Sequence, residues 1–199
     1  MDAVIPQRHA ASRVGLLGGS FNPAHDGHRE ISLAALAALK LDAVWWLVSP
    51  GNPLKDAGDY APYGERLQKA RRVADHPRII ISNFEERKGL QYTVDTLETL
   101  RSLWPQIDFV WLMGADSLAT FHRWRDWKKI AAMAPFAVVN RPGHESAAAT
   151  APAAQEFAAF RADEADAAAI VGAEPPAWVF LSEPKNPQSS TAIRAALKR

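Results

Sequence analysis

Short apolar runs alternate with longer stretches of helical period along almost the whole of this chain, and that alternation constrains its fold more than any other feature. Runs at 14–17, 43–48, 78–82, 107–113, 136–139 and 177–181 read as buried strands. Helical stretches lie between them at 27–40, 63–75, 93–104 and, as a pair, 116–133, with a last helix at 190–198. In the first helix Ile31, Leu33, Ala34, Leu36, Ala37 and Leu39 supply the apolar face. The pattern predicts an α/β fold, a doubly wound Rossmann-like parallel sheet with helices on both faces. Ligands of such sheets gather at the carboxyl ends of the strands, where the strand order reverses.

Composition narrows the class. With 199 residues, 48% of them hydrophobic, the chain can fill one ordinary core, and it reads as a single domain over 1–199. No apolar run approaches the roughly 18 residues of a membrane span, and residues 1–12 lack the apolar stretch of a secretory signal. A cytoplasmic protein with no membrane partner is expected. The absence of cysteine excludes disulfides, thiolate zinc sites and a cysteine nucleophile. A formal net charge of +1 argues against a nucleic-acid coat. The basic run Arg66, Lys69, Arg71 and Arg72 reads as the solvated face of a helix, without the aromatic interleaving of a base-stacking platform.

Charge is unevenly spread. Between Glu145 and Pro175 six acids face the single base Arg161, so this alanine-rich stretch carries −5 and the rest of the chain +6. The segment at about 145–175 is expected to be a solvated excursion on the scaffold. The basic remainder is compatible with anionic ligands.

The most informative stretch is Gly18-Gly19-Ser20-Phe21-Asn22-Pro23-Ala24-His25-Asp26-Gly27-His28, between the first strand and the first helix. Glycines there permit a sharp turn and close approach to a ligand. His25 and His28, three apart, share one face of a first helical turn, above N–H groups that attract anions. They form a cationic or hydrogen-bonding cradle for phosphate. A metal-binding pair and a structural helix cap are the competing readings, but no third ligand in register supports a metal. The spacing is not G-x-G-x-x-G, so a dinucleotide fingerprint fails.

This stretch resembles the signature Gly-Gly-Ser-Phe-Asn-Pro-x-His-x-Gly-His of the nucleotidyltransferase superfamily that includes the adenylyltransferases of NAD and coenzyme A synthesis. Within it the chain is similar to the bacterial nicotinate-nucleotide adenylyltransferases over nearly its whole length. Ser189-Ser190-Thr191-Ala192-Ile193-Arg194 resembles the second family motif, with Gln188 where an aliphatic residue is usual. The resemblance implies transfer of the adenylyl group of ATP to nicotinate mononucleotide, with Mg2+ carried on ATP. His25, His28 and Arg194 would be catalytic. Gly18, Gly19, Ser20, Phe21, Asp116, Ser189, Ser190 and Thr191 would bind ATP. Asn52 and Lys55, Thr93 and the N–H of Val94, Trp124, Arg125 and Arg141 would bind the mononucleotide: phosphate at Asn52, Lys55 and Arg141, the nicotinate carboxylate at Thr93 and Val94, the ring on Trp124.

Each of these residues also has a plainer reading. Ser189 to Thr191, Thr93 and Asp116 could be helix caps, residues 49–55 a Pro-rich turn, and the tryptophans core. Nicotinamide mononucleotide and phosphopantetheine are alternative acceptors, and a non-catalytic nucleotide-binding module is an alternative class. The chain ends five residues past Arg194, short of the extension that many relatives carry, which leaves self-association open.

Overall fold

The computed structural model describes residues 13–51, 60–183, 186, 188 and 190–197. Its strands are β1 (Arg13–Gly19), β2 (Ala43–Val48), β3 (Ile79–Ser82), β4 (Asp108–Gly114), β5 (Phe136–Val139), β6 (Arg161–Ala162) and β7 (Trp178–Leu181). They form one sheet in the spatial order β3-β2-β1-β4-β5-β7-β6, and every pairing is parallel. Val14 sits beside Ala43 on one side and Phe109 on the other. The chain therefore winds outward from β1 to β3, then returns across β1 to start the other half at β4. The crevice at the carboxyl ends of β1 and β4 is the point of reversal, the expected place for a ligand.

The doubly covered sheet follows from the alternation of side chains along each strand. Val14, Leu16, Trp45, Phe109 and Trp111 are buried in one core. Leu17, Val44, Trp46, Val110 and Leu112 are buried in the other. The helices are α1 (Asp26–Ala38), α2 (Tyr63–Ala74), α3 (Phe84–Lys88), α4 (Thr93–Leu103), α5 (Ala115–Phe121), α6 (Trp127–Met133), α7 (Glu145–Ala149), α8 (Pro152–Glu156) and α9 (Ser190–Leu197). Helix α1 is pinned to the sheet by a buried polar contact: Trp46 Nε1–H donates to Ser32 Oγ at 2.7 Å, and that hydroxyl donates to the His28 carbonyl at 2.9 Å. Satisfied in this way, both groups tolerate burial.

Three features differ from the sequence reading. The short elements α3 and β6 are absent from that reading, whereas the expected helical pair over 116–133 is present as α5 and α6, the second capped by Asp126 at a left-handed φ of 51°. The acidic stretch is not a wholly solvated excursion. Glu156, Asp163, Glu164, Asp166 and Glu174 are exposed, but Ala148, Ala151, Ala153 and Phe157 are buried in the core. The Phe157 carbonyl accepts from Trp178 Nε1–H at 2.8 Å, tying the segment to β7. Alanine is small enough to pack closely while contributing little to a hydrophobic pattern, which is why the acids dominate the sequence signal. Finally, Arg66 of α2 is not on a solvated face: it is 3% exposed.

Candidate active site

The crevice opens into a cavity of about 560 Å³, within the range of small-molecule sites, and both sequence motifs reach it. Gly18 and Gly19 belong to the end of β1 rather than to a turn. Gly18 is needed for space: a Cβ there would come within 2.6 Å of the buried Trp111 ring. The left-handed residue of the loop is Phe21, at φ 46°. Its ring stacks on Trp46 with centroids 4.9 Å apart and also meets His28 at 4.7 Å. That packing offsets the backbone cost of the turn.

His25 is the N-cap of α1, with extended backbone, and His28 is the third residue of the helix. Their ring centroids lie 3.9 Å apart. The His25 backbone N–H donates to His28 Nδ1 at 3.3 Å. A neutral imidazole that accepts at Nδ1 carries its proton at Nε2, so His28 presents Nε2–H as a donor. Burial, reinforced by the charge of Arg141, lowers the His25 pKa to about 4. Burial, then the neighbouring His25 and Arg141, lowers His28 to about 3. Of the two forms of the expected cradle, the structure has the neutral, hydrogen-bonding one.

The second motif docks onto this loop. Ser190 Oγ–H donates to the Pro23 carbonyl at 2.9 Å, and Arg194 donates to the Asn22 carbonyl and, at 3.4 Å, to Thr191 Oγ1. Ser190 and Thr191 line the cavity beside His25 and His28. Ser189, Asn52 and Lys55 lie outside the described residues. Gly51, at the end of the described part of the loop after β2, borders the same cavity.

Across the crevice, Asp116 lies in the first turn of α5, which follows β4 directly, and its carboxylate pairs with Arg141 at 2.7 Å. The Arg141 side chain is 12% exposed and that of Asp116 35%, so the guanidinium is largely withdrawn from water while the carboxylate keeps partial access to it. A guanidinium has five N–H donors, and one contact with Asp116 leaves others for a second anion.

At the far end Thr93 is the first residue of α4, while Tyr92 holds the cap position, so Thr93 is not the cap that its plainer reading supposed. Thr93 lines the cavity, and Val94 beside it is buried. First-turn N–H groups of a helix have no partner within the helix and favour an anion. Trp124 borders the cavity and meets Trp111 and Phe121 edge-on, at 89° and 87°. Arg125 is more exposed, lying 4.7 Å over the Tyr92 ring and 3.6 Å from Asp95.

Two residues of this region had no role at the site in the sequence reading. Glu85 lines the cavity, is 6% exposed, and accepts from Thr96 Oγ1–H at 2.9 Å. Burial raises its pKa to about 7. Arg66 underlies the loops. Its signal was the spacing of Arg66, Ala70 and Ala74, which places the arginine on the buried stripe of α2. For Glu85 no comparable signal exists, since it lies in a five-residue helix. Among the described residues no group of three or more His, Asp or Glu side chains could hold a metal ion.

The sequence matches the cytidylyltransferase-like family over residues 16–196. It is 53% identical over 182 residues to a Methylorubrum extorquens protein named "Probable nicotinate-nucleotide adenylyltransferase", covering 92% of this chain and 98% of that one. A Rhizobium meliloti protein of the same name is 49% identical, with 92% and 97% coverage. Among solved structures, the Plasmodium falciparum nicotinic acid mononucleotide adenylyltransferase complexed with NaAD shares the fold with a TM-score of 0.68 at 17% identity, over 92% of this chain and 83% of that one. The motifs, the crevice at the strand reversal and these relatives agree, and the chain belongs to the cytidylyltransferase-like family and, within it, to the nicotinate-nucleotide adenylyltransferases.

Proposed function

We propose that the crevice transfers the adenylyl group of ATP to nicotinate mononucleotide, giving nicotinate adenine dinucleotide and pyrophosphate, a step of NAD synthesis. The observation that carries this reading is the His25–His28 pair at the start of α1, above the reversal of strand order, next to a loop on which Arg194 is anchored through the Asn22 carbonyl. A phosphate oxygen of the mononucleotide attacks the α-phosphorus of ATP. The new P–O bond forms as the bond to the bridging oxygen breaks, and pyrophosphate leaves with that electron pair. The nucleophile is already ionised, so the enzyme needs no general base; its work is in-line positioning and stabilisation of migrating charge.

In this assignment His28 donates Nε2–H to a phosphate oxygen, helped by His25, Arg194 and the Gly18–Phe21 backbone. An arriving polyphosphate would favour the imidazolium forms and deepen the attraction. Ser189, Ser190 and Thr191 hold the triphosphate, the last two from the start of α9, and Asp116 contacts the nucleotide. Arg141, with Asn52 and Lys55, receives the mononucleotide phosphate. The pyridine ring lies on Trp124, and its carboxylate meets Thr93 and the Val94 N–H, with Arg125 at the rim. Magnesium enters as Mg·ATP, held through substrate oxygens, as this ion commonly is. The reaction runs in the cytoplasm, where both charged nucleotides are held.

Pyrophosphate release with Mg·ATP and each of three acceptors tests the reading. Release is expected with nicotinate mononucleotide, and at a far lower rate with nicotinamide mononucleotide or phosphopantetheine, whose uncharged groups leave the carboxylate-reading site unsatisfied. Absence of release with all three would overturn the activity, and a preference for another acceptor would overturn the assignment of Thr93 and Val94.

A further inference from the structure

The two loops that flank the reacting phosphates are held from beneath by one side chain. Arg66 Nε–H donates to the Ala61 carbonyl at 3.1 Å. Its Nη1 donates to the carbonyls of Ser20 and, at 2.8 Å, Ser49; Nη2 donates to the Pro50 carbonyl at 2.8 Å. Four of the five guanidinium N–H groups are thereby used. Their acceptors come from three places: the loop after β1, the loop after β2, and the approach to α2. The Tyr60 and Tyr63 rings lie 5.4 and 5.1 Å from Cζ, and Tyr63 O–H donates to the Val48 carbonyl at 3.0 Å. Ala61 N–H donates to Asn22 Oδ1 at 3.1 Å, a second tie between the same loops.

The direction of these bonds matters as much as their number. In a trans peptide the N–H points away from the C=O of the same plane. Drawing the Ser20 carbonyl inward turns the Phe21 N–H outward, and drawing the Pro50 carbonyl inward turns the Gly51 N–H outward. Phe21 and Gly51 both border the cavity, one on each loop. The same contacts keep three carbonyl oxygens, which would repel phosphate, directed away from it.

We infer that Arg66 is a positioning residue for adenylyl transfer: it fixes the separation of the loops after β1 and β2 and aims the Phe21 and Gly51 N–H groups at the two phosphates that must meet in line. This inference rests on the site assignment above. Lysine cannot reproduce the planar fork, because its donors radiate from a single atom. Methionine fills similar space with no donor.

Arg66→Lys and Arg66→Met are compared with wild type for kcat, for KM of each substrate, and for the number of Mg·ATP sites per chain by calorimetry. Loss of alignment at a fixed site lowers kcat by about 10-fold for lysine and about 100-fold for methionine. KM is expected to stay within about threefold, and the ATP stoichiometry is expected to stay at that of wild type. A merely structural role lowers kcat only in proportion to the binding-competent fraction. Either that proportionality, or a kcat per ATP site within about threefold of wild type in both variants, would overturn the inference. Should the methionine variant not fold, the lysine variant decides by the same criteria. A wild-type protein that releases no pyrophosphate overturns the proposed function, and this role with it.

Discussion

Neutral imidazoles are well suited to meet a phosphate that must first be captured and later released, because they donate a hydrogen bond without trapping the anion in a permanent ion pair. The pKa values of about 4 and 3 at His25 and His28 keep both uncharged in the free protein at neutral pH. Since kcat/KM reports the free enzyme, its profile is expected to show no imidazole inflection between about pH 6 and 8. An inflection near the ordinary histidine value that disappears in His28→Ala would contradict this. The same substitution is expected to lower kcat by about 10²–10³, the scale of losing one preorganised donor; steady-state kinetics of the folded variant decide. Glu85 is the opposite case. Its carboxyl stays protonated in the folded chain up to about pH 7, whereas the unfolded chain loses that proton near the ordinary carboxylate value of 4.5. Stability from this group is therefore fully present below that lower value and is lost as pH rises through the window to about 7. Glu85→Gln is expected to gain about 1–3 kcal/mol over wild type at about pH 8 and little at about pH 4. Denaturant unfolding at the two pH values measures this, and equal differences at both would contradict it.

Among the elements, α9 has a distinctive dependence on its surroundings. Its described anchors, Ser190 on Pro23 and Arg194 on Asn22, all go to the loop after β1 rather than to the sheet. A triphosphate bridging that loop and α9 ties the two together, so ligand binding should suppress local opening of the helix. Hydrogen exchange of α9 amides is expected to slow by at least about 10-fold with saturating Mg·ATP, while β1 and β4 amides change little. Unchanged α9 exchange in the saturated complex would count against the triphosphate assignment. The contrast between α9 and the strands also explains what the sequence could convey. Runs such as Val44-Trp45-Trp46-Leu47 are apolar on both faces because helices cover both, so the strands were legible. The two motifs were legible because an eleven-residue pattern is far more specific than its parts. Elements as short as α3 and β6 have no room for a period, and tertiary contacts decide them. Arg66 was misread since its spacing with two small alanines is a weak signal of burial; its carbonyl partners, distant in sequence, are what make that burial tolerable.

At the scale of the whole molecule, a small net charge conceals a division of labour. Glu156, Asp163, Glu164, Asp166 and Glu174 lie outward on a segment whose apolar residues complete the core, while the cationic Arg141 lines the crevice. The order of strands adds a constraint in time. Val14 lies between Ala43 and Phe109, and the Ser190–Pro23 bond joins residues 167 positions apart. Closing loops of such length costs chain entropy before the contacts return it, which makes topologies of this kind slow to fold. A chain in which β1, β2 and β3 have paired owns half a sheet and the phosphate loop, but no opposite wall and no α9 to close over a nucleotide. Catalytic competence therefore arrives late in folding, and the incomplete molecule is silent rather than loosely active.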